Sequence, residues 1–508
     1  MTACLRWISG MAITMGMLHA QPPYNTLPDW RSDDRHYATG GVFADIDRDG
    51  LLDFVVSNGN DMARERVAVY YNRNGILETT PSWQSSDIGY HGHLAVGDMN
   101  GDGWLDVAVT LLRPQGGPGV KVYLNQQGTL SSSPSWTAAI SFPSWWCAWG
   151  DVDSDGDLDL AVGATWPYGS QPQTRHYIFY NQGGTLERTP RWQLDGVPEV
   201  AHMEFCDVDD DGDLDLVLAA RSGNAVYLNT GGVISTTPHW VSTDNNQQFA
   251  NTLALGDVSG DGRPDLIVSD NNQLTGGSGF HKLYRQVNGG IYESTPSWQF
   301  FDGYASAVAL ADIDSDGRLD LAVGKWWGTV RLFLNQGTGF ANTPSWTSGV
   351  SLVVEAICFG DLNRDGVQQA TFRSSAPRKL FYLGRQPVQR ILRVVVDGQE
   401  LAPNQFCYNL RYGWVSLAIA PMNEVQIEYE YSTRMEMGVT DWERRGNIVF
   451  YHRQPGDVDN NGCVDDADLL RVLFAFGLIG AYPEDLTLDG TVDDEDLLIV
   501  LFNFGSGC

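Results

Sequence analysis

One acidic nonapeptide recurs seven times along the 508 residues, beginning at Asp45, Asp98, Asp151, Asp207, Asp257, Asp312 and Asp361. The intervals are 53, 53, 56, 50, 55 and 49 residues, a period that suits one four-stranded blade and points to a ring of repeated units rather than one continuous core. The first six copies read D-x-[DNS]-x-D-G-x-x-D, and the seventh ends in Gln369. A tryptophan stands 14 to 17 residues before each copy (Trp30, Trp83, Trp136, Trp192, Trp240, Trp298 and Trp346), closing a T-P-S-W phrase or a Pro-x-Trp variant of it. After most copies an aromatic strand ends in Asn, as in Val122-Tyr123-Leu124-Asn125 and Val226-Tyr227-Leu228-Asn229. Each unit therefore reads as four short strands, and the expected fold is a mainly β, seven-bladed β-propeller over residues 21–384. No Pro-x-Trp phrase follows the last such strand, Leu380 to Leu383, while Trp30 precedes the first Asp loop. Residues 24–31 are expected to supply the missing outer strand of blade seven and so hide open strand edges.

Positions one, three, five and nine of the loops hold Asp45, Asp47, Asp49 and Asp53; Asp98, Asn100, Asp102 and Asp106; Asp151, Asp153, Asp155 and Asp159; Asp207, Asp209, Asp211 and Asp215; Asp257, Ser259, Asp261 and Asp265; and Asp312, Asp314, Asp316 and Asp320. The seventh keeps Asp361, Asn363 and Asp365, and Gln369 costs it a charge. Asp and Gly favour hairpin turns by themselves. Oxygen-bearing residues in phase over six copies go further, because carboxylates gathered without a cation repel one another. Ca2+ accepts six to eight oxygens in flexible geometry, whereas Mg2+ needs a tight octahedron and Zn2+ prefers nitrogen and sulfur, so calcium is the expected ion. With these loops and this period, residues 21–384 resemble the FG-GAP/VCBS repeat propellers related to the integrin α-subunit head. The resemblance implies calcium loops between the first two strands of each blade. The family's Phe-Gly phrase stands at Phe359-Gly360.

Residues 385–454 break the repeat and alternate as strands, from Ile391 to Val396, Val415 to Ala420 and Val425 to Tyr431, which reads as a small all-β module. Beyond Pro455 two loops lie 28 residues apart, each followed by a short amphipathic helix. Asp457, Asp459, Asn461, Asp465 and Asp468 occupy EF-hand-type positions in the first, and Asp485, Thr487, Asp489, Asp493 and Asp496 in the second. Residues 455–508 resemble a type I dockerin, which implies a small α-helical calcium module docking onto a cohesin, or a cell-surface retention partner. Asp466-Ala467 and Asp494-Glu495 stand where the family's partner-choosing pairs lie.

Residues 1–20, with Arg6 ahead of a mostly apolar run and Leu18-His19-Ala20 at its end, read as a secretory signal. No membrane span is expected after its cleavage. Of the cysteines, Cys463 and Cys508 are expected to pair. A formal charge of −31 argues against nucleic acid and anionic membranes as partners. His93, Trp146 and His202 share one register on blades two to four, with Glu204 on the same strand face as His202. The plainer account makes them interface residues. The sharper one makes His93, His202 and Glu204 catalytic candidates beside a sugar pocket flanked by Trp145, Trp146, Trp166, Trp326 and Trp327, whose flat rings suit pyranose faces. The function expected is a secreted or cell-surface calcium-binding scaffold or adhesion protein with a glycan or surface protein as ligand. The alternative is an extracellular polysaccharide-degrading hydrolase or lyase.

Overall fold

The computed structural model describes residues 22–165, 175–221, 223–244, 250–272, 279–459, 463–480 and 482–506. Residues 1–20, Trp166, Asn461 and Cys508 lie outside them. Residues 26–451 form one compact unit, and residues 452–506 with 22–25 another.

In the larger unit, seven four-stranded antiparallel sheets share one plan among the described residues. The first runs Ala38–Ala44, Asp53–Asn58, Val67–Tyr70 and Trp83–Gln84 from inside to outside. The innermost strands of successive sheets pack in cyclic order, and Val354–Gly360 of the last meets Ala38–Ala44 of the first, so the sheets close into a propeller-like ring. Crowding at the axis explains the small residues on the inner strands. A Cβ on Gly41 would sit 2.6 Å from Thr440, and one on Gly92 2.6 Å from the Trp145 carbonyl. The second strands, such as Asp106–Leu111 and Asp215–Ala220, are apolar on both faces because each is sandwiched between neighbouring blades. Each inner strand bulges near its start, as between Ser144 and Trp146 or Val200 and His202.

The aromatic phrases and their terminal asparagines tie blade to blade. Trp83 Nε1 donates to the Leu130 carbonyl of the next blade at 2.8 Å, and Trp30, Trp136, Trp192 and Trp298 make the equivalent bond. Asn125 Nδ2 donates to Leu105 O in its own Asp loop at 3.2 Å and to Ile46 O in the preceding loop at 2.8 Å. Asn181, Asn229 and Asn335 repeat this bridge, and Asn72 reaches Leu362 to join blades one and seven.

Blade seven departs from the sequence expectation. Its strands are Val354–Gly360, Glu436–Asp441, Ile448–Phe450 and Trp30–Arg31. The N-terminal strand is indeed outermost, but the second and third strands come from beyond residue 384. The boundary at 384/385 is thus corrected: Val367–Ser374 pairs with Val425–Ser432, and Leu380–Tyr382 with Trp414–Leu417, in two sheets that enclose a separate small core around Val394, Val415 and Ile427. The strand VQQATFRS is half polar and suits a sheet with one wet face, whereas EMGVTD is wholly buried, as a strand between two blades must be. The β module is therefore an insertion in blade seven rather than a domain that follows it. It lies across the Asp-loop face: Ser416 Oγ donates to Asp151 at 2.7 Å, Tyr382 Oη accepts from the Asp207 N–H at 2.9 Å, and Arg385 stands 3.4 Å from Asp312.

The smaller unit carries helices Asp466–Ala475 and Asp494–Asn503, each begun by an Asp capping box. Its core contains Val458, Val464 and Val472 together with Leu486, Val492 and Val500, the 28-residue repeat expressed as packing. Cys463 is disulfide-bonded.

Replacing Asn229 by Ala strips the buried Val152 and Leu214 carbonyls of a donor and is expected to cost about 2 kcal/mol in chemical denaturation. Unchanged stability would show that the bridge between blades contributes nothing.

Candidate metal loops and ligand faces

Each Asp loop is shaped by backbone donors before any ion is considered. The first aspartate accepts from the glycine N–H at position six (Gly156 to Asp151 at 3.0 Å, Gly317 to Asp312 at 3.0 Å), and that glycine adopts a positive φ of 93° or 88°. The fifth-position aspartate accepts from the N–H two residues on, as Asp155 does from Asp157 at 3.0 Å. The ninth-position aspartates are fully engaged with backbone: Asp53 accepts from Ile46 N–H at 3.0 Å and Asn72 N–H at 2.8 Å, and Asp106, Asp159, Asp215, Asp265 and Asp320 repeat the pattern. Position nine is consequently a structural tie as well as a ligand candidate.

Carboxylates also gather closely within the loops. Ligand oxygens lie within 4.8 Å of one another in the groups Asp45, Asp47 and Asp49; Asp151, Asp153 and Asp159; Asp207, Asp209 and Asp215; and Asp312, Asp314 and Asp316. Buried oxygens of Asp45, Asp153, Asp312 and Asp361 carry no hydrogen-bond partner. Burial first, and neighbouring carboxylates second, push Asp45 up to about 6 and Asp207 to about 7. Burial likewise raises Asp53, Asp106 and Asp215 to about 8. Close-set oxygens with an unmet demand for positive charge fit a hard divalent cation. Loops two and five place neutral Asn100 and Ser259 at position three, so each offers one charge fewer.

Loop seven also has a ninth-position carboxylate, hidden from sequence by the insertion. Glu436 pairs with Gly360 as Asp53 pairs with Ala44, and it accepts from Leu362 N–H at 2.6 Å as Asp53 does from Ile46. Gln369 is not in that place: it lies in the inserted sheet. In the smaller unit Asp457, Asp459 and Asp468 form a fifth acidic group. Asp468 and Asp496 also accept from loop N–H groups of Val458 and Thr487 at 2.7 and 2.9 Å. Asp465 and Asp493 cap the helices, and Asp485 accepts from the Gly490 N–H at 2.8 Å and the Asp489 N–H at 3.2 Å.

The three catalytic candidates come together at the ring axis. The rings of His93 and Trp146 lie 4.0 Å apart, and those of Trp146 and His202 stack at 3.4 Å. His202 Nδ1 accepts from Leu253 N–H at 3.0 Å, which leaves Nε2–H to donate to Glu204 at 3.0 Å. Burial holds His93 and His202 well below the usual imidazole range, so both are neutral. With both nitrogens engaged, His202 orients Glu204 and packs between blades. Burial raises Glu204 to about 7, opposed by the Arg411 guanidinium 3.3 Å away. Arg411 comes from the inserted module, a neighbour that no register on the blades foretold.

At the opposite end of the blades from the Asp loops, Trp145, Trp326 and Trp327 join Trp442 and Tyr304. Trp442 packs against Trp145 at 5.6 Å and Trp326 at 6.1 Å, while Trp327 meets Trp326 at 5.9 Å and Tyr304 at 5.7 Å. Trp442 carries no repeat signal in the sequence, because the insertion separates its strand from the rest of blade seven. Trp146 belongs to the axis rather than to this face.

Cyclic four-stranded sheets with acidic hairpin loops define a β-propeller with cation-type loops. The FG-GAP-like repeat profile matches residues 45–109, 111–162, 207–268 and 312–368. The chain is similar to integrin alpha-3 of Cricetulus griseus, 29% identical over 44% of this chain and 21% of the relative, and to integrin alpha-3 of Mus musculus, 30% identical over 28% of this chain and 15% of the relative. It thus spans about a fifth or less of the curated relatives it matches. A solved structure of BBS1N in complex with ARL6DN aligns at 12% identity and a TM-score of 0.42, over 79% of this chain and 96% of that chain. The FG-GAP-like repeats and the integrin similarity accord with the propeller-like ring of sheets. No helix among the described residues is long and apolar enough to cross a membrane.

Changing Asp312 to Asn takes a charge from the sixth loop and is expected to lower by one the divalent cations counted per chain by elemental analysis. An unchanged count would remove that loop from the metal sites.

Proposed function

We propose that this is a secreted or cell-surface scaffold and adhesion protein: a calcium-loaded, seven-bladed propeller that binds a glycan on its aromatic face, with a dockerin-like tail that docks onto a cohesin-type partner. Calcium is favoured among hard cations because the loops offer many oxygens in flexible, backbone-supported turns. The observation that carries the glycan reading is Trp327. It is 46% exposed, its backbone lies in the left-handed region at φ 54°, and its Nε1 is held by Glu443 at 2.8 Å. A bulky residue kept in that conformation and open to solvent is strain retained at a working surface, and its ring suits the apolar face of a sugar. A glycan array probed with the full chain is expected to show binding that falls about tenfold in Trp327→Ala, the range of one lost aromatic contact. Binding that survives this change would move the ligand elsewhere.

Support for the tail reading lies in a duplicated apolar surface. Phe474 is 85% exposed and Phe502, 28 residues later, 73%, with Leu473 and Leu501 beside them also exposed. Large apolar side chains repeated on two helices of a small unit mark a contact surface. A pull-down of the full chain on a type I cohesin is expected to succeed and to be lost in the double variant Phe474→Asp, Phe502→Asp. Failure with the unaltered chain on cohesins of several specificities would sink the docking role.

A further inference from the structure

The inserted module does more than cover the loop face, because two adjoining cavities lie against it. An outer cleft of about 830 Å³ separates the module from loops four to six, with Tyr382, Arg385 and Tyr431 along its wall. An inner chamber of about 150 Å³ occupies the ring axis and is lined by Trp146, Glu204 and Arg411 among mostly apolar neighbours such as Leu94 and Ile357. Both are bordered by Gln386, Pro387 and Tyr412, so these residues stand where the two meet.

The chamber has more donors than its own acceptors can use. Arg411 keeps 40% of its side-chain surface open and lines the chamber. Its pair with Glu204 leaves most of its five N–H groups unspent. Trp146 and Tyr412 are only 6% and 5% exposed; Trp146 Nε1–H and Tyr412 O–H both lie beside Glu204, close enough to act on its carboxyl, but neither reaches an acceptor in full hydrogen-bond geometry. One oxygen of Glu204 already accepts from His202 and Arg411. Buried donors without acceptors are costly. A guest that satisfied them would bring a carboxylate for the planar Arg411 fork, a hydroxyl for the second Glu204 oxygen, and a compact body for the apolar wall. A space near 150 Å³ is about the size that admits a single six-membered ring.

We propose that the axial chamber is a binding site for a sugar acid, a uronate unit entering carboxylate first through the outer cleft. This site is separate from the aromatic face and does not rest on it. The test is isothermal titration calorimetry of the full chain in calcium, with galacturonate and galactose as the two probes. Galacturonate is expected to bind once per chain and galactose not at all. Arg411→Lys, which keeps the charge but loses the fork, is expected to raise the galacturonate Kd about tenfold or more. Tyr412→Phe guards against a folding defect. Removing an unpartnered buried hydroxyl leaves the melting temperature level or raises it, so weaker galacturonate binding in that variant reports a ligand contact. No binding of galacturonate, equal binding of both sugars, or a Kd unmoved by both substitutions would overturn the assignment.

Discussion

In six of the ring's blades a buried carboxylate that accepts two backbone N–H groups holds the loop hairpin in shape. Asp53 and its counterparts join the start of a loop to the end of the third strand, and the terminal asparagine of that strand reaches back to the preceding blade. The loop is thereby shaped by the sheet, and its other oxygens are left converging with their charge unrelieved. Ion affinity and ring integrity share one set of atoms, so an ion that relieves the crowded charge also stabilises the frame, because binding energy confined to the folded state adds to folding energy.

The two ends of the ring differ in chemistry. Strand polarity sends every Asp loop to one end and the loops after the second strands to the other. Trp145, Trp326 and Trp442 gather where no acidic repeat intrudes, and the charged loops meet the inserted module with Ser416, Arg385 and Tyr382. A single chain thus offers an aromatic surface and a polar, partly enclosed one on opposite sides.

Much of this was legible because repetition exposes structure: an aspartate at the same phase in six blades, or a tryptophan before each loop, leaves few alternatives. The N-terminal outer strand could be read from a phrase count, with Trp30 to spare and none after residue 384. Non-repeated elements were less visible. Leu380–Tyr382 mimics the third strand of a blade in its aromatic pattern, but Val367–Ser374 ahead of it alternates polar and apolar residues and cannot lie between two blades. The pattern stands in the sequence but is masked by Gln369, which falls at the ninth loop position and reads there as a ligand with its charge lost. Arg411 could not be foreseen, since its place at the axis depends on how the module docks rather than on any local pattern. The stacking of His93, Trp146 and His202 was legible as a shared register, while the bond from Leu253 that fixes the His202 tautomer was not.

Glu436 closes a hairpin whose two halves are separated by a complete small sandwich. For the other blades, closing that turn means restraining only a few residues. Here the chain must bring together points far apart along it, and the entropic toll rises slowly with length, by about 0.6 kcal/mol for each doubling. The toll falls further if the intervening segment has already condensed around Val394, Val415 and Ile427. Blade seven, which needs both residues beyond the insert and the amino-terminal strand, thus joins the parts of the ring that lie farthest apart along the chain.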